Sequence, residues 1–523
     1  MALSNTGRSG LWQTPRGGVI RSGHLEIVID RLLRISRREQ TVHRLEIKTV
    51  TGLAFHSEGG TLALVCTRRR RPPRRLLDAA DLSPAEWALF AELIAEVTYH
   101  RLTLDGPFLA HRRPLITVSR MTDTAPAAGL PDFPFPSHSL TPPAEYAERR
   151  AACPFGQVRL PSGDPAILLV TYRDVAAAMA DPRLSHDLTG PDAPRMTAEP
   201  SFLQDPDIVL NKDGEDHLRL RRIIAAAFTP RRAERWKPVI ARIAEELIEE
   251  LEKTGPPADL VAGYCFALPV RIICRLLGVP ERDAMRFRVW SNAFSAGAQM
   301  SPEQTAAEIG AFLAYMAELI AARRAEPGQD LIDDLIAARD GADKLSEQEL
   351  LTLATGLIAA GNETTATALS RGVAELLDDD RRLWRQLLDD PGQVPAAVDE
   401  LLRYTGLSNS TLLRMAVADV DLPSGRVLAG QAVAIPSNGA LRDPEAYPDP
   451  DTIDFERDAP PTLIFGGGPH YCLGAHLAKA ELTVGLATLL RRLPGLRMTV
   501  SRDELRFSGG EIVDSMIALP VAW

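Results

Sequence analysis

Residues Phe465–Gly474 read FGGGPHYCLG: three glycines in a row, then a proline, a histidine and a single cysteine, with a helical pattern opening at Ala475. No other stretch constrains the chain so tightly. Glycine has no Cβ, so such a run permits unusual backbone angles and close approach to a flat ligand. A cysteine just ahead of a helix meets free backbone N–H groups and the positive end of the helix dipole, which favour its thiolate form. Thiolate is a known ligand of haem iron. Two plainer readings stand beside that one. The glycines could form a phosphate loop, but the Lys-Ser/Thr ending of a P-loop is missing. Cys472 could also be a buried structural thiol, the common fate of a lone cysteine.

The surroundings of the loop are helical. After a proline-rich stretch from Met121 to about Pro143, Val158–Leu160 and Ile167–Thr171, joined by PSGDP, read as a hairpin. Apolar periodicity then predicts helices over about 213–228, 230–253, 258–277, 281–297, 301–325, 346–377, 393–404 and 475–492. Strand-like pieces lie near 412–437 and at the C-terminal end, so the expected class is mainly α with minor β. Ser346 and Glu349 have the spacing of a capping box. The helix they open has about 31 residues, on the order of 45 Å. It contains Ala360-Gly361-Asn362-Glu363-Thr364-Thr365. Glycine and threonine are poor helix formers, and a threonine hydroxyl can bond back to the preceding turn. The bland reading is a tolerated kink; the functional one is a local opening over a ligand.

FGGGPHYCLG matches the cysteine-loop signature of the cytochrome P-450 family, F-G-x-G-x-H/R-x-C-x-G, at every fixed position. The chain resembles that family over about residues 125–523, with further motifs in the family's order. Ala360–Thr365 resembles the A/G-G-x-D/E-T motif. Glu400-Leu401-Leu402-Arg403 resembles E-x-x-R, with Arg457 matching the third member of that structural group. His217 and Arg221, in DHLRLRR, resemble a pair that binds a haem propionate, and Arg414 and His470 resemble two further propionate partners. The resemblance implies the P-450 fold and b-type haem (iron protoporphyrin IX), with Cys472 as axial ligand of the iron. It places Phe465 and Gly466 beside the cofactor. It makes Glu363 and Thr364 an acid–alcohol pair that relays protons to bound dioxygen.

By the same resemblance the chain is an oxidoreductase, a monooxygenase that takes electrons from NAD(P)H through a ferredoxin and its reductase. It inserts one atom of dioxygen into an organic substrate, a secondary metabolite. No flavin or iron–sulfur spacing is visible in the chain itself. An acidic ferredoxin is expected near Arg219, Arg222 and Lys479. The expected pocket walls are the loop 183–211, Trp290–Met300, Ala359–Gly361 and Ser408–Leu413. The alternatives are a peroxide-driven peroxygenase of the same fold and a noncatalytic haem-binding sensor.

Composition narrows the setting. The five cysteines (Cys66, Cys153, Cys265, Cys274, Cys472) are sparse and lack CxxC spacing, which fits a reducing cytosol better than a disulfide framework or a zinc site. No run reaches the roughly 18 apolar residues of a membrane span. Aromatic residues make up 6% of the chain, too few for prominent nucleic-acid stacking platforms. A cytoplasmic monomer with no nucleic-acid partner is expected. Residues 1–120 hold 19 Lys+Arg and 11 Asp+Glu, although the whole chain carries −10. That asymmetry marks a junction. Residues 1–20 are polar and Gly-rich and are expected to lack regular structure. Beyond them, Leu25–Ile35 reads as one or two strands, a hairpin surrounds Gly59-Gly60, and a capped helix follows Ser83. The expected domains are therefore 1–120 and 121–523. The first is either a small α+β module of pleckstrin-homology-like element order, or upstream sequence preceding a start at Met121.

Overall fold

The computed structural model describes the backbone of the strands between Ser9 and Asp78. It also describes residues 129–523, apart from 136–139, 191–192, 197–204, 284–285, 288, 291–300, 329, 341–344, 408–410, 412 and 510–512. The chain divides into two compact units, Met1–Ala125 and Pro126–Trp523.

In the first unit the strands Ser9–Thr14, Gly17–Ser22, Leu25–Ile29, Leu32–Arg37 and Gln40–Glu46 form one five-stranded sheet in sequence order. Val50–Glu58, Thr61–Arg68 and Arg71–Asp78 form a three-stranded sheet. The hairpin around Gly59-Gly60 is present, with Glu58 paired to Thr61 and Ala54 to Val65. One expectation needs correction. Ser9–Thr14 and Gly17–Ser22 are paired strands, where a polar, Gly-rich segment without regular structure was expected. Arg71–Asp78 is an edge strand of its sheet, a position that accommodates Pro72 and Pro73. The helix expected after Ser83 lies outside the described residues.

The second unit is built on helices. Among the described residues, those of eight residues or more are, in chain order, α1 (Glu145–Ala152), α2 (Tyr172–Ala180), α3 (Gly214–Ala225), α4 (Pro230–Thr254), α5 (Ala267–Leu277), α6 (Pro302–Ala325), α7 (Leu331–Asp340), α8 (Glu347–Leu377), α9 (Arg382–Asp389), α10 (Val394–Thr405) and α11 (Ala475–Arg492). Their starts are chemically legible. Thr229 accepts from the Arg232 N–H with Pro230 in the first turn of α4. Ser346 and Glu349 exchange side-chain and backbone hydrogen bonds at the start of α8. From Asn362 onward α8 is buried over most of its surface and runs through the main apolar core with α5, α10 and α11.

A mixed sheet lies to one side, in the order Leu184–Ser185, Leu413–Ala416, Ala432–Ala434, Pro165–Leu169, Phe155–Arg159. Pro165–Leu169 pairs antiparallel with Phe155–Arg159, the hairpin expected from PSGDP, and parallel with Ala432–Ala434.

The helix expected over 258–277 is interrupted. Ala258–Asp259 pairs with the C-terminal strand Pro520–Ala522, and a π-helical turn at Val261–Cys265 precedes α5. Asp259 Oδ1 accepts from the N–H groups of Val261 and Leu519, so a partner over 250 residues away decides this stretch. Helix α6 passes a test of length and composition that a search for unbroken apolar runs does not register. An 18-residue window within Glu303–Ala325 has a mean hydropathy of 1.4, because its alanines raise hydropathy without forming an unbroken apolar run. Only one face, Phe312, Met316 and Ile320, enters the core.

Candidate active site

The cysteine loop begins with a 3-10 turn, Leu463–Phe465, followed by Gly466 at φ 73° and Gly468 at φ 61°. A Cβ on Gly468 would lie 2.7 Å from the Met179 carbonyl oxygen, and one on Gly467 would lie 3.0 Å from Met179 Cβ. The last turn of α2 therefore fills the back of the loop. The sequence reading assigned the glycine run to a flat ligand; at Gly467 and Gly468 the close approach is to this chain's own helix. The Cys472 N–H donates to Phe465 O at 2.8 Å and closes the loop ahead of α11.

Although Cys472 is exposed on the loop, the protein around its sulfur raises the thiol above its ordinary range. The N–H groups of Gly474 and Ala475 and the Arg221 guanidinium pull the other way. The helix-terminus effect expected from sequence is present but smaller than desolvation. A coordinated cation reverses that balance, since a metal-bound thiol is deprotonated outright.

Beside the loop, three imidazoles stack nearly parallel. His186 lies 3.5 Å from His470 and His217 lies 3.8 Å from it, centroid to centroid. The Asp213 carboxylate anchors two of these residues. Its Oδ1 is 3.3 Å from His470 Nε2, and its Oδ2 accepts from Ser185 Oγ at 2.5 Å and the His186 N–H at 3.1 Å. Burial, then Arg414 and His470, hold His186 down to about 2; burial, then His470 and Arg221, hold His217 at about 4. Burial opposes ionisation of Asp213, but the bonds from His470 and Ser185 outweigh it and keep the carboxyl well below its usual range.

Burial draws the Arg414 guanidinium down to about 10, so it stays charged at neutral pH. His217 Nδ1 is buried with no hydrogen-bond partner in the protein. Arg414 acts on His186 at one side of the stack, and the unsatisfied nitrogen belongs to His217 at the other; a buried guanidinium and a free imidazole nitrogen suit a carboxylate-bearing ligand such as haem with its propionates. Arg221 donates to Tyr471 O on the cysteine loop.

On α8, Thr364 Oγ1 donates to Ala360 O at 2.8 Å, the back-bonding expected of a helical threonine. Glu363 is buried and accepts from Ser515 Oγ. The structural group is complete. Glu400 accepts two bonds from Arg403, both at 2.8 Å, and one from Arg457 Nε at 3.1 Å. Both arginines also donate to Thr452 O. The three basic residues expected at a ferredoxin surface are each paired within the chain: Arg219 with Glu349, Arg222 with Glu215 and Lys479 with Asp399. Of the expected pocket walls, residues 191–192 and 197–204 of the 183–211 loop, 291–300, 408–410 and 412 lie outside the described residues. Sequence reasoning missed His186, Asp213, Thr367 and Ser515. None of them stands in a motif, although His186 belongs to the 183–211 loop read as a pocket wall.

A cysteine loop braced by α2, a buried histidine stack held by Asp213, and a glutamate and threonine side by side on a long helix are the parts expected of a haem-binding monooxygenase fold. The comparisons with known proteins agree. The family model for Cytochrome P450 matches residues 393–501. The mycinamicin IV hydroxylase/epoxidase of Micromonospora griseorubida is 43% identical over 409 residues, covering 77% of this chain and all of that one. The nocardicin C N-oxygenase of Nocardia uniformis subsp. tsuyamanensis is 40% identical over 381 residues, 72% of this chain and 94% of that one. Among solved structures, the LnmA cytochrome P450 hydroxylase of the leinamycin pathway of Streptomyces atroolivaceus superposes with a TM-score of 0.69 at 39% identity, over 75% of this chain and all of that one. The chain belongs to the cytochrome P450 family. It is an oxidoreductase of the monooxygenase type, with the P450 fold and haem as its cofactor.

Proposed function

We propose that the chain inserts one atom of dioxygen into a secondary metabolite. Its electrons come from NAD(P)H through a ferredoxin and ferredoxin reductase. The reaction balances as substrate C–H plus dioxygen, two electrons and two protons giving C–OH and water. Haem, when bound, supplies the iron at which dioxygen is activated. Cys472 would hold that iron through its sulfur. His217, Arg414 and His470 would take the propionates, with Arg221 tying the cysteine loop beside them, and Phe465 and Gly466 would flank the group. Glu363 and Thr364 hold the protons on α8, and the Thr364 hydroxyl must leave Ala360 O to use its own.

The observation that carries this reading is the histidine stack with its unsatisfied His217 Nδ1 and the Arg414 charge; its central ring, His470, stands two residues before Cys472 on the loop. The substrate class rests on the relatives whose names specify mycinamicin IV and nocardicin C. Charge pairing of Arg219, Arg222 and Lys479 within the chain means that a ferredoxin must displace or share those carboxylates. The P450 unit is read as residues 121–523 of a cytoplasmic monomer, with 1–120 an independent module.

The reduced carbon monoxide spectrum should show the thiolate signature, and Cys472→Ser should abolish it. Mycinamicin IV, nocardicin C and a panel of other polyketide, terpenoid and aromatic metabolites should then be titrated for a haem spectral shift. Binders should be turned over with NADPH and surrogate ferredoxin. Product formed with hydrogen peroxide but never with the electron-transfer partners would replace this reading with a peroxygenase.

A further inference from the structure

The acid of α8 is tied to a segment that no motif singled out. Residues Glu363, Thr367 and Arg371 recur every four positions, so they share one face of the helix. That face meets the C-terminal hairpin closed by the Phe507–Met516 bridge. Arg371 is 3% exposed; its Nη2 lies 3.1 Å from Asp514 Oδ2 and 2.8 Å from Asp514 O, and its guanidinium lies 4.8 Å from the centre of the Phe507 ring. The next rung is Thr367, whose Oγ1 is 2.9 Å from Ser515 Oγ. The last is Glu363, whose Oε1 accepts from Ser515 Oγ.

Each hydroxyl carries a single proton. With Ser515 donating to the carboxylate, Thr367 supplies the donor for the Thr367–Ser515 contact. The chain therefore runs Thr367 to Ser515 to Glu363. Ser515 is itself pinned, since its N–H donates to Ser508 Oγ at 3.0 Å and its carbonyl accepts from the Ser508 N–H at 2.8 Å.

We propose that Ser515 is the positioning residue for the Glu363 carboxylate, so that the C-terminal hairpin sets how the acid of α8 is presented for proton delivery. This rests on the reading of Glu363 as that acid. A hairpin anchor alone needs only the Arg371–Asp514 pair. The hydroxyl adds a charge-assisted bond that fixes one carboxylate oxygen and with it the side-chain rotamer.

The test uses the haem-loaded full chain and three variants: Ser515→Ala, Ser515→Thr and Glu363→Gln. The carboxylate band of Glu363, identified by its loss in Glu363→Gln, is followed by isotope-edited infrared spectroscopy. NADPH oxidation in air is followed at saturating surrogate ferredoxin. Ser515→Ala should move the band and slow oxidation about tenfold, the size of one lost bond to a charged group. Ser515→Thr, which keeps the hydroxyl, should restore both. If Glu363→Gln leaves the rate unchanged, the acid assignment itself fails. If Glu363→Gln is slow while Ser515→Ala keeps both rate and band, the positioning role alone is overturned. A lower melting temperature in Ser515→Ala with an unmoved band would likewise reduce Ser515 to an anchor.

Discussion

Gly468 carries two constraints at once, a left-handed φ of 61° and the Met179 carbonyl where its Cβ would be. Gly468→Ala should therefore cost at least the 1–2 kcal/mol of a left-handed residue, roughly, with the clash added. Urea unfolding and haem content per chain both report it, and an alanine variant of unchanged stability would contradict the geometry. Glu400 is the second residue of this kind. Its carboxylate is the shared partner of two buried guanidiniums, so Glu400→Gln leaves excess positive charge in the core. A loss of about 3–5 kcal/mol is expected, against almost none for an exposed pair such as Arg382–Asp379. These residues were legible because each sits in a short, fixed spacing. Asp213, His186 and Ser515 were not, since their roles come from partners far along the chain: Asp213 meets His470 across 257 positions and Ser515 meets Glu363 across 152.

Among the elements, α8 was the most legible, because its capping box, length and interior motif are all local. It also offers a gain. Gly372 lines a small apolar cavity with Ala368, Val398 and Leu401, and a Cβ there would meet Leu401 Cδ1 at 3.4 Å, an ordinary contact. Gly372→Ala should stabilise the protein by about 0.5–1 kcal/mol through helix propensity and filled space, read as a higher melting temperature. Helices α4 and α11 are bridged by Glu245, which pairs with Arg491 and Arg492. The hydrogen bond from Arg491, then that from Arg492, hold the Glu245 carboxyl below its ordinary value despite some burial. The sign follows from a depressed acid: the contribution is full above the ordinary glutamate range, about 4.3, and is lost as pH falls through the lower folded value. Glu245→Gln should lower stability by about 1 kcal/mol at pH 7, and the difference should vanish in strong acid. The short helices α1, α2, α7 and α9 went unread, since eight to ten residues show too few turns for a periodic signal.

For the whole molecule, the P450 unit could be read in outline because its long helices follow one another and carry their own start signals. Of its main sheet the PSGDP hairpin was legible, but the pairings that join distant strands were not. The division at Ala125/Pro126 gives a direct experiment on the first unit. A chain beginning at Met121 should fold, load haem and show the same reduced carbon monoxide spectrum as the full chain. A truncated chain that fails to load haem would make Met1–Ala125 part of the working protein.

The distant pairings also impose an order in time. Pro165–Leu169 must wait for Ala432–Ala434, and Ala258–Asp259 for Pro520–Ala522. The histidine cradle needs both Asp213 and His470, and the acid of α8 needs Ser515. During synthesis, a ribosome that has not yet passed Ala432–Ala434, His470 and Ser515 can carry long helices but neither a closed sheet nor a finished pocket. Cofactor capture therefore waits until those residues have been made, and a nascent chain stalled before Cys472 should emerge colourless.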